Sequence, residues 1–443
     1  MKDRKEDETA SSAFSFVKRI ASRTRYAGTE GEKEACEDIF NEFEGLGCDV
    51  EKDETEYIKN ENYSIVKTLL VYWVFGIFIA VSWFIHPLTV AILVGIYFLF
   101  TQKALPKIEL MLARSKSTNI IASINPEKKH RLILCGHYDS SHILGKFAQK
   151  HWKRLMQVEP VMTLFYYLFL IVLYVKGFYT LVIDGFVPFT LIEFAPRMVG
   201  PWTIYWGVYL TAYCATMFAV TVIMSASLTK KFSYGADDNA SGIAVMLETA
   251  RRFSGKKLDL RIDFACFAAE ERGLFGSRKW VNKHMKELDR DRTFVLNIDC
   301  VGRGDRFFVT KGLGRYFKKN SDPVLFSIMT DVLKKLGLPY EEDWAGNSDH
   351  AEFIEKNFRT CSIERYNVKK ANIAALIFQK ISRIPIKSKV APSMDWIHTE
   401  KDTIEGIDEK KLEETMSVVC DFIDTLNSSI ESNTLMHPSI CEV

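Results

Sequence analysis

Leu260-Arg261-Ile262-Asp263-Phe264-Ala265-Cys266-Phe267-Ala268-Ala269-Glu270-Glu271-Arg272-Gly273-Leu274-Phe275-Gly276-Ser277 is the stretch whose reading decides the fold. Residues 260–268 form a short apolar run of the length and bulk of a buried strand. Residues 275–284 resume as a helix beyond the breaker Gly273. Between strand and helix stand two adjacent carboxylates, Glu270 and Glu271. Such a pair at the end of an apolar strand is expensive unless something compensates its charge. Neighbouring residues on an extended segment point opposite ways. One carboxylate can therefore ligate a metal while the other reaches a water beside it. A solvated acidic turn is the plainer alternative.

The same strand-then-helix grammar extends outward. Downstream, residues 293–300 read as a strand, 322–336 as a helix, 359–364 as a strand and 409–426 as an amphipathic closing helix. Upstream, 239–253 is a helix with Asp238 and Asn239 as cap candidates. Residues 119–124 and 131–136 read as paired strands around the turn Asn125-Pro126-Glu127. Residues 48–57 alternate like a strand, and 15–47 are helical. The alternation predicts an α/β three-layer sandwich with a mostly parallel, mixed central sheet.

Two apolar regions interrupt this pattern. Residues 65–85 and 88–100 are broken by His86-Pro87, and residues 161–175 and 204–225 flank a stretch at 181–194 that carries Asp184, Pro188 and Glu193. Their length and uniformity predict about four transmembrane helices inserted as two hairpins. The stretch 181–194 is then a re-entrant or interfacial loop, because His137 and Asp237 must lie on one side to share a site. The expected organisation is one α/β domain in pieces (1–64, 103–158, 229–430), hairpins at 65–102 and 159–228, and a tail at 431–443. Lysines and arginines cluster at 103–116, 146–154 and 230–231, against only Lys176 and Arg197 in the opposite loops. By the positive-inside rule the soluble part would face the cytosol, with the lipid bilayer as a partner.

Composition excludes other classes. A net charge of +2 over 443 residues calls for no nucleic acid and no acidic partner. Nine cysteines make an odd total without paired spacing. They read as buried reduced thiols rather than a disulfide framework.

Four further segments carry chemistry. In Gly136-His137-Tyr138-Asp139 an apolar strand delivers a histidine, and Asp139 is placed to accept its second ring nitrogen. Gly235-Ala236-Asp237-Asp238-Asn239-Ala240-Ser241-Gly242 runs into a helix, with small residues that let the backbone approach closely. Asp237 can bridge two cations with its two oxygens. Asn297-Ile298-Asp299 ends a strand on a carboxylate, and His398-Thr399 lies in a loop before the last helix. Two histidines and three carboxylates suit a pair of zinc ions.

These segments, taken in order, resemble the co-catalytic di-zinc metallopeptidases, a group that includes bacterial leucyl aminopeptidases, glutamate carboxypeptidase and glutaminyl cyclase. Arg25-Tyr26-Ala27-Gly28-Thr29-Glu30-Gly31 resembles the entry to that family's N-terminal helix. Asn347-Ser348-Asp349-His350 resembles a wall of its substrate cleft, contributed here by Asp349 and His350. The resemblance implies that Asp237 bridges two zinc ions, that His137 and Asp299 complete one site, and that Glu271 and His398 complete the other. It implies Glu270 as general base, Asp139 as a supporting catalytic residue, and a cis peptide between Asp237 and Asp238. The implied reaction is aminopeptidase hydrolysis of peptides with a free N-terminus, by a metal-bridged hydroxide. A carboxypeptidase or glutaminyl-cyclase-like enzyme is the alternative within that family. A membrane scaffold retaining the peptidase fold is the alternative outside it.

Overall fold

The structure is a computed structural model. It describes residues 12–60, 63–68, 99–146, 229–313, 319–345, 348–370, 390–393 and 395–432, with isolated positions between 74 and 97. The chain divides into two compact units. One comprises Met1–Tyr57, Ser115–Ile143 and Lys231–Val443, and the other Ile58–Arg114 and Leu144–Lys230.

The first unit is built on a ten-stranded mixed sheet. Its strands are β1 (Asp49–Tyr57), β2 (Ser115–Ile124), β3 (His130–His137), β4 (Leu260–Phe267), β5 (Thr293–Ile298), β6 (Arg306–Leu313), β7 (Lys319–Asn320), β8 (Tyr340–Ala345), β9 (Arg359–Lys370) and β10 (Val390–Ser393). The order is β1-β2-β4-β3-β5-β9-β6-β7, with β10 on β9 and β8 on β6. The centre, β4-β3-β5-β9, is parallel, while β1, β2 and β6 join antiparallel. Residues 119–124 and 131–136 are strands as expected, but they are not paired with each other. β4 lies between β2 and β3. The turn at 125–127 joins sequence neighbours, but the buried run of β4 takes the slot between them because both its faces can then be covered.

Side chains alternate across the sheet. Leu132 and Leu134 of β3, Phe264 of β4 and Leu296 of β5 enter one core layer, and Ile133, Cys135, Phe267 and Val295 enter the other. The first layer is covered by α1 (Glu30–Gly45), α2 (Gly242–Phe253), α4 (Pro323–Lys335) and α6 (Glu409–Glu431). The second is covered by α3 (Phe275–His284) and α5 (His350–Glu355), through Trp280, Val281 and Phe353. Each such large side chain contributes about 1.5–3 kcal/mol on burial. Helix starts follow local chemistry: Asp322 accepts the N–H groups of Val324 and Leu325 ahead of α4, with Pro323 in its first turn. The described cysteines are free and buried.

In the second unit, helix Leu105–Leu112 carries a buried Glu109. That carboxylate accepts Lys67 Nζ at 2.7 Å and Tyr63 Oη at 3.2 Å from helix Tyr63–Thr68. Among the described residues, no helix is long and apolar enough to cross a membrane. This corrects the expected fold class: the α/β sandwich stands, and among the described residues no transmembrane helix accompanies it. Helices Tyr63–Thr68 and Leu105–Leu112, among the described residues of this unit, have six and eight residues, far below the ~20 that a crossing needs. Apolar length in sequence is shared by buried and spanning segments, so it does not decide between them. The expected spans at 65–85 and 88–100 fall largely outside the described residues. Those at 161–175 and 204–225, and the stretch 181–194, fall wholly outside. The bilayer partner and the sidedness read from positive charge depend on those spans.

Candidate metal centre

The candidate ligands converge at the C-terminal ends of the parallel strands, where open α/β sheets place their sites. β3 ends on His137, Asp299 follows β5 directly, and Glu270 and Glu271 follow β4. Asp238 stands just before α2, and His398 lies in the turn between β10 and α6. Nε2 of His137 lies 3.1 Å from Asp238 Oδ1, 3.6 Å from Asp299 Oδ1 and 4.0 Å from Glu270 Oε2. Nε2 of His398 lies 3.2 Å from Asp238 Oδ2 and 3.2 Å from Glu271 Oε1. Two ligand sets result, His137–Asp238–Asp299 and Asp238–Glu271–His398. Asp238 belongs to both, with one oxygen turned to each histidine.

These residues fit divalent cations. Oδ1 of Asp299 and Oε1 of Glu271 are buried and accept no hydrogen bond, their polar neighbours being the histidine nitrogens just named. A buried carboxylate oxygen without a donor is costly, and a cation removes that cost. Imidazole nitrogen and carboxylate oxygen are the donors zinc takes.

Asp237, expected as the bridge, faces elsewhere. Its Oδ2 accepts Trp396 Nε1–H at 2.6 Å and its Oδ1 accepts the N–H of Gly302 at 2.7 Å. Its carboxylate is thus satisfied by the protein, and the aspartate common to both ligand sets is Asp238, not Asp237. The cis peptide correspondingly joins Asp238 to Asn239, not Asp237 to Asp238. Asn239 does act at the helix start: its Oδ1 accepts the N–H groups of Gly242 and Cys300.

Asp139 works on the backbone. Its two oxygens accept the N–H groups of Glu270 at 3.1 Å and Glu271 at 3.2 Å, fixing the turn that carries both glutamates. His137 Nδ1 lies nearer the main-chain oxygen of Asp139, at 3.1 Å, than its carboxylate, at 3.6 Å. Asp349 and His350 are both fully buried. Ser348, beside them, donates to Asp299 Oδ2 at 2.8 Å and so orients that ligand. Residue 347 lies outside the described residues. Ala269, Cys300 and His398 hold φ of 53°, 51° and 55°, a left-handed conformation that non-glycine residues keep where the surroundings impose it.

The electrostatics are those of crowded acids around two bases. Burial opposes charge on His137, yet Glu270, Asp139, Asp238 and Asp299 hold its pKa well above the imidazole range. Burial likewise opposes His398, and Glu271 and Asp238 raise it. Burial alone would raise Asp238, but both histidines hold it well below the usual carboxylate value. Burial drives Glu270 far up against the pull of His137, with Glu271, Asp349 and Asp299 adding to the rise. Burial pushes Asp349 up to about 7 and His350 down to about 4.

Fold and site together define a zinc-exopeptidase-like α/β protein. Residues 220–423, a little under half of the chain, match the model of peptidase family M28. Aminopeptidase YwaD of Bacillus subtilis (strain 168) is 32% identical over 195 residues, covering 42% of this chain and 37% of that protein. The chain thus spans little more than a third of that curated relative. Glutaminyl cyclase of Porphyromonas gingivalis superposes with a TM-score of 0.53 at 18% identity, covering 94% of this chain and 98% of the other. A Zn-dependent exopeptidase from Parabacteroides distasonis ATCC 8503 gives 0.51 at 17% identity, covering 94% and 97%. At such identities these two show the shared fold.

Proposed function

We propose that this chain is a zinc-dependent aminopeptidase, an exopeptidase that removes N-terminal residues from peptides with a free N-terminus. The observation that carries the reading is the carboxylate of Asp238, set between His137 and His398 with one oxygen toward each. A carboxylate so shared is what a pair of cations requires. His137 and Asp299 would hold one ion, Glu271 and His398 the other, and Asp238 both. Zinc bound there would polarise the scissile carbonyl and acidify water.

The chain's own residues supply the proton path. Glu270 faces His137 across the cluster at 4.0 Å without belonging to either ligand set. Burial raises its proton affinity, which suits a group that takes a proton from the attacking water and returns it to the departing amine. Asp139 holds the backbone from which Glu270 projects, so the base stays in place through turnover. The kinship with an aminopeptidase supports the choice of a free N-terminus.

The test is Glu270→Gln. It keeps shape and removes the proton carrier. Zinc content should stay at wild-type level while kcat on aminoacyl substrates falls roughly 10²–10⁴-fold. Wild-type turnover in that variant overturns the assignment. Zinc counting on the wild-type protein separates this reading from a single-ion cyclase: two ions per chain are expected.

A further inference from the structure

Two buried charged residues outside the ligand sets tie the ligand-bearing segments together. Asp402 is fully buried, four positions beyond His398 in the same turn. Its Oδ1 accepts the N–H of Asp237 at 2.7 Å, its Oδ2 accepts the N–H of Asp238 at 3.3 Å, and its main-chain oxygen accepts the N–H of Ala236 at 3.4 Å. Both carboxylate oxygens are thus turned to backbone, and Asp402 is in neither ligand set. Arg25, also fully buried, grips the other side of the same loop. It donates from Nη1 to Tyr234 O at 2.6 Å and from Nη2 to Gly235 O at 2.8 Å, and from Nε to Tyr138 O at 2.7 Å, one residue past His137.

The two grips are complementary. Arg25 takes carbonyls before Asp238 and joins them to the segment of His137. Asp402 takes amides at Asp238 and joins them to the turn of His398. Burying a lone charge is costly, so neither residue is there as filler. Among the acids around Arg25, Asp402 does most to sustain its charge against burial. Because a carboxylate shared by two cations must meet both at once, a small rotation of the Asp238 backbone favours one at the expense of the other.

We propose that Asp402 and Arg25 are positioning residues that set the Asp238 carboxylate between the two cation positions, Asp402 governing the position of His398 and Glu271. The proposal rests on the two-ion reading above. Its test is titration of the ion-free full chain with Co2+, followed by calorimetry and by the visible absorption of bound cobalt. Wild-type protein should take up two ions. Asp402→Asn, of the same shape, should bind one ion as wild type and the other roughly 10–100-fold more weakly. The absorption of the second ion should be altered. Its kcat should recover at high Co2+ with KM little changed. Two wild-type affinities with an unaltered spectrum overturn the proposal. So does a variant whose ion-free form is unfolded, or whose affinities fall together, since Asp402 then serves stability alone. Wild-type protein that binds fewer than two ions overturns the two-ion reading itself, and the proposal falls with it.

Discussion

Asp237 and Asp238 are adjacent, chemically identical and both buried, yet their environments assign them different work. Asp237 is met by Trp396 and Gly302, and Asp238 is met by two histidines. Asp238→Ala should therefore abolish binding of both zinc ions. Asp237→Asn should keep both and cost about 1–3 kcal/mol of stability, because an amide cannot accept from both donors as the carboxylate does. Zinc per chain and a denaturant midpoint read the two effects. His137, Glu271, Asp299 and His398 could be picked out in the sequence. Three of them end or follow apolar strands, and the strand end fixes where a side chain arrives. The bridging place could not be assigned that way. The groups that distinguish the two aspartates are remote, Trp396 lying 159 positions along the chain from Asp237. Arg25 opens a motif picked out in the sequence and Asp402 follows His398 by four positions, but their partners are backbone atoms, which leave no trace in residue type.

Elements position the site by fitting backbone against backbone. α2 begins where a Cβ on Gly242 would lie 2.4 Å from Asn239 Oδ1 and 2.5 Å from the carbonyl oxygen of Ile298. The helix start is pressed onto the end of β5, one residue before Asp299. Gly242→Ala should force the two apart, costing about 1–3 kcal/mol and weakening zinc retention during dialysis against a mild chelator. Wild-type retention would show that the contact has room to relax. Strand and helix identities were legible here because period and breakers are local. Strand pairing was not: the β2–β3 neighbourhood suggested by a short turn gave way to β4, whose apolar run needs cover on both faces. Strands β6 and β8 also carried no clear signal, since charged residues such as Arg306, Glu341 and Glu342 interrupt any alternation.

At the scale of the whole molecule, the first unit carries a buried acid away from the candidate ligands. Glu32 accepts the N–H of Gly28 and the hydroxyl of Ser117, and burial lifts its pKa to about 7. The folded state thus binds this proton more tightly than an unfolded chain at about 4.5. Its stabilising share is full below pH ~4.5 and is lost as pH rises through ~7, a swing on the order of 3 kcal/mol. Glu32→Gln should gain stability relative to wild type between pH 5 and pH 8. Melting temperatures of both proteins across that range test it, and parallel curves would contradict it. The expected transmembrane helices mark where sequence reading failed at this scale. An apolar run reports that a segment avoids water, while its surroundings decide whether lipid or protein provides the shelter. The insertion of β4 between β2 and β3 has one more consequence. A ribosome releases β2 and β3 long before β4, which follows β3 by more than a hundred residues. Strands β2 and β3 therefore meet their native neighbour only after β4 has been made, so the sheet cannot assemble in the order in which its strands are synthesised.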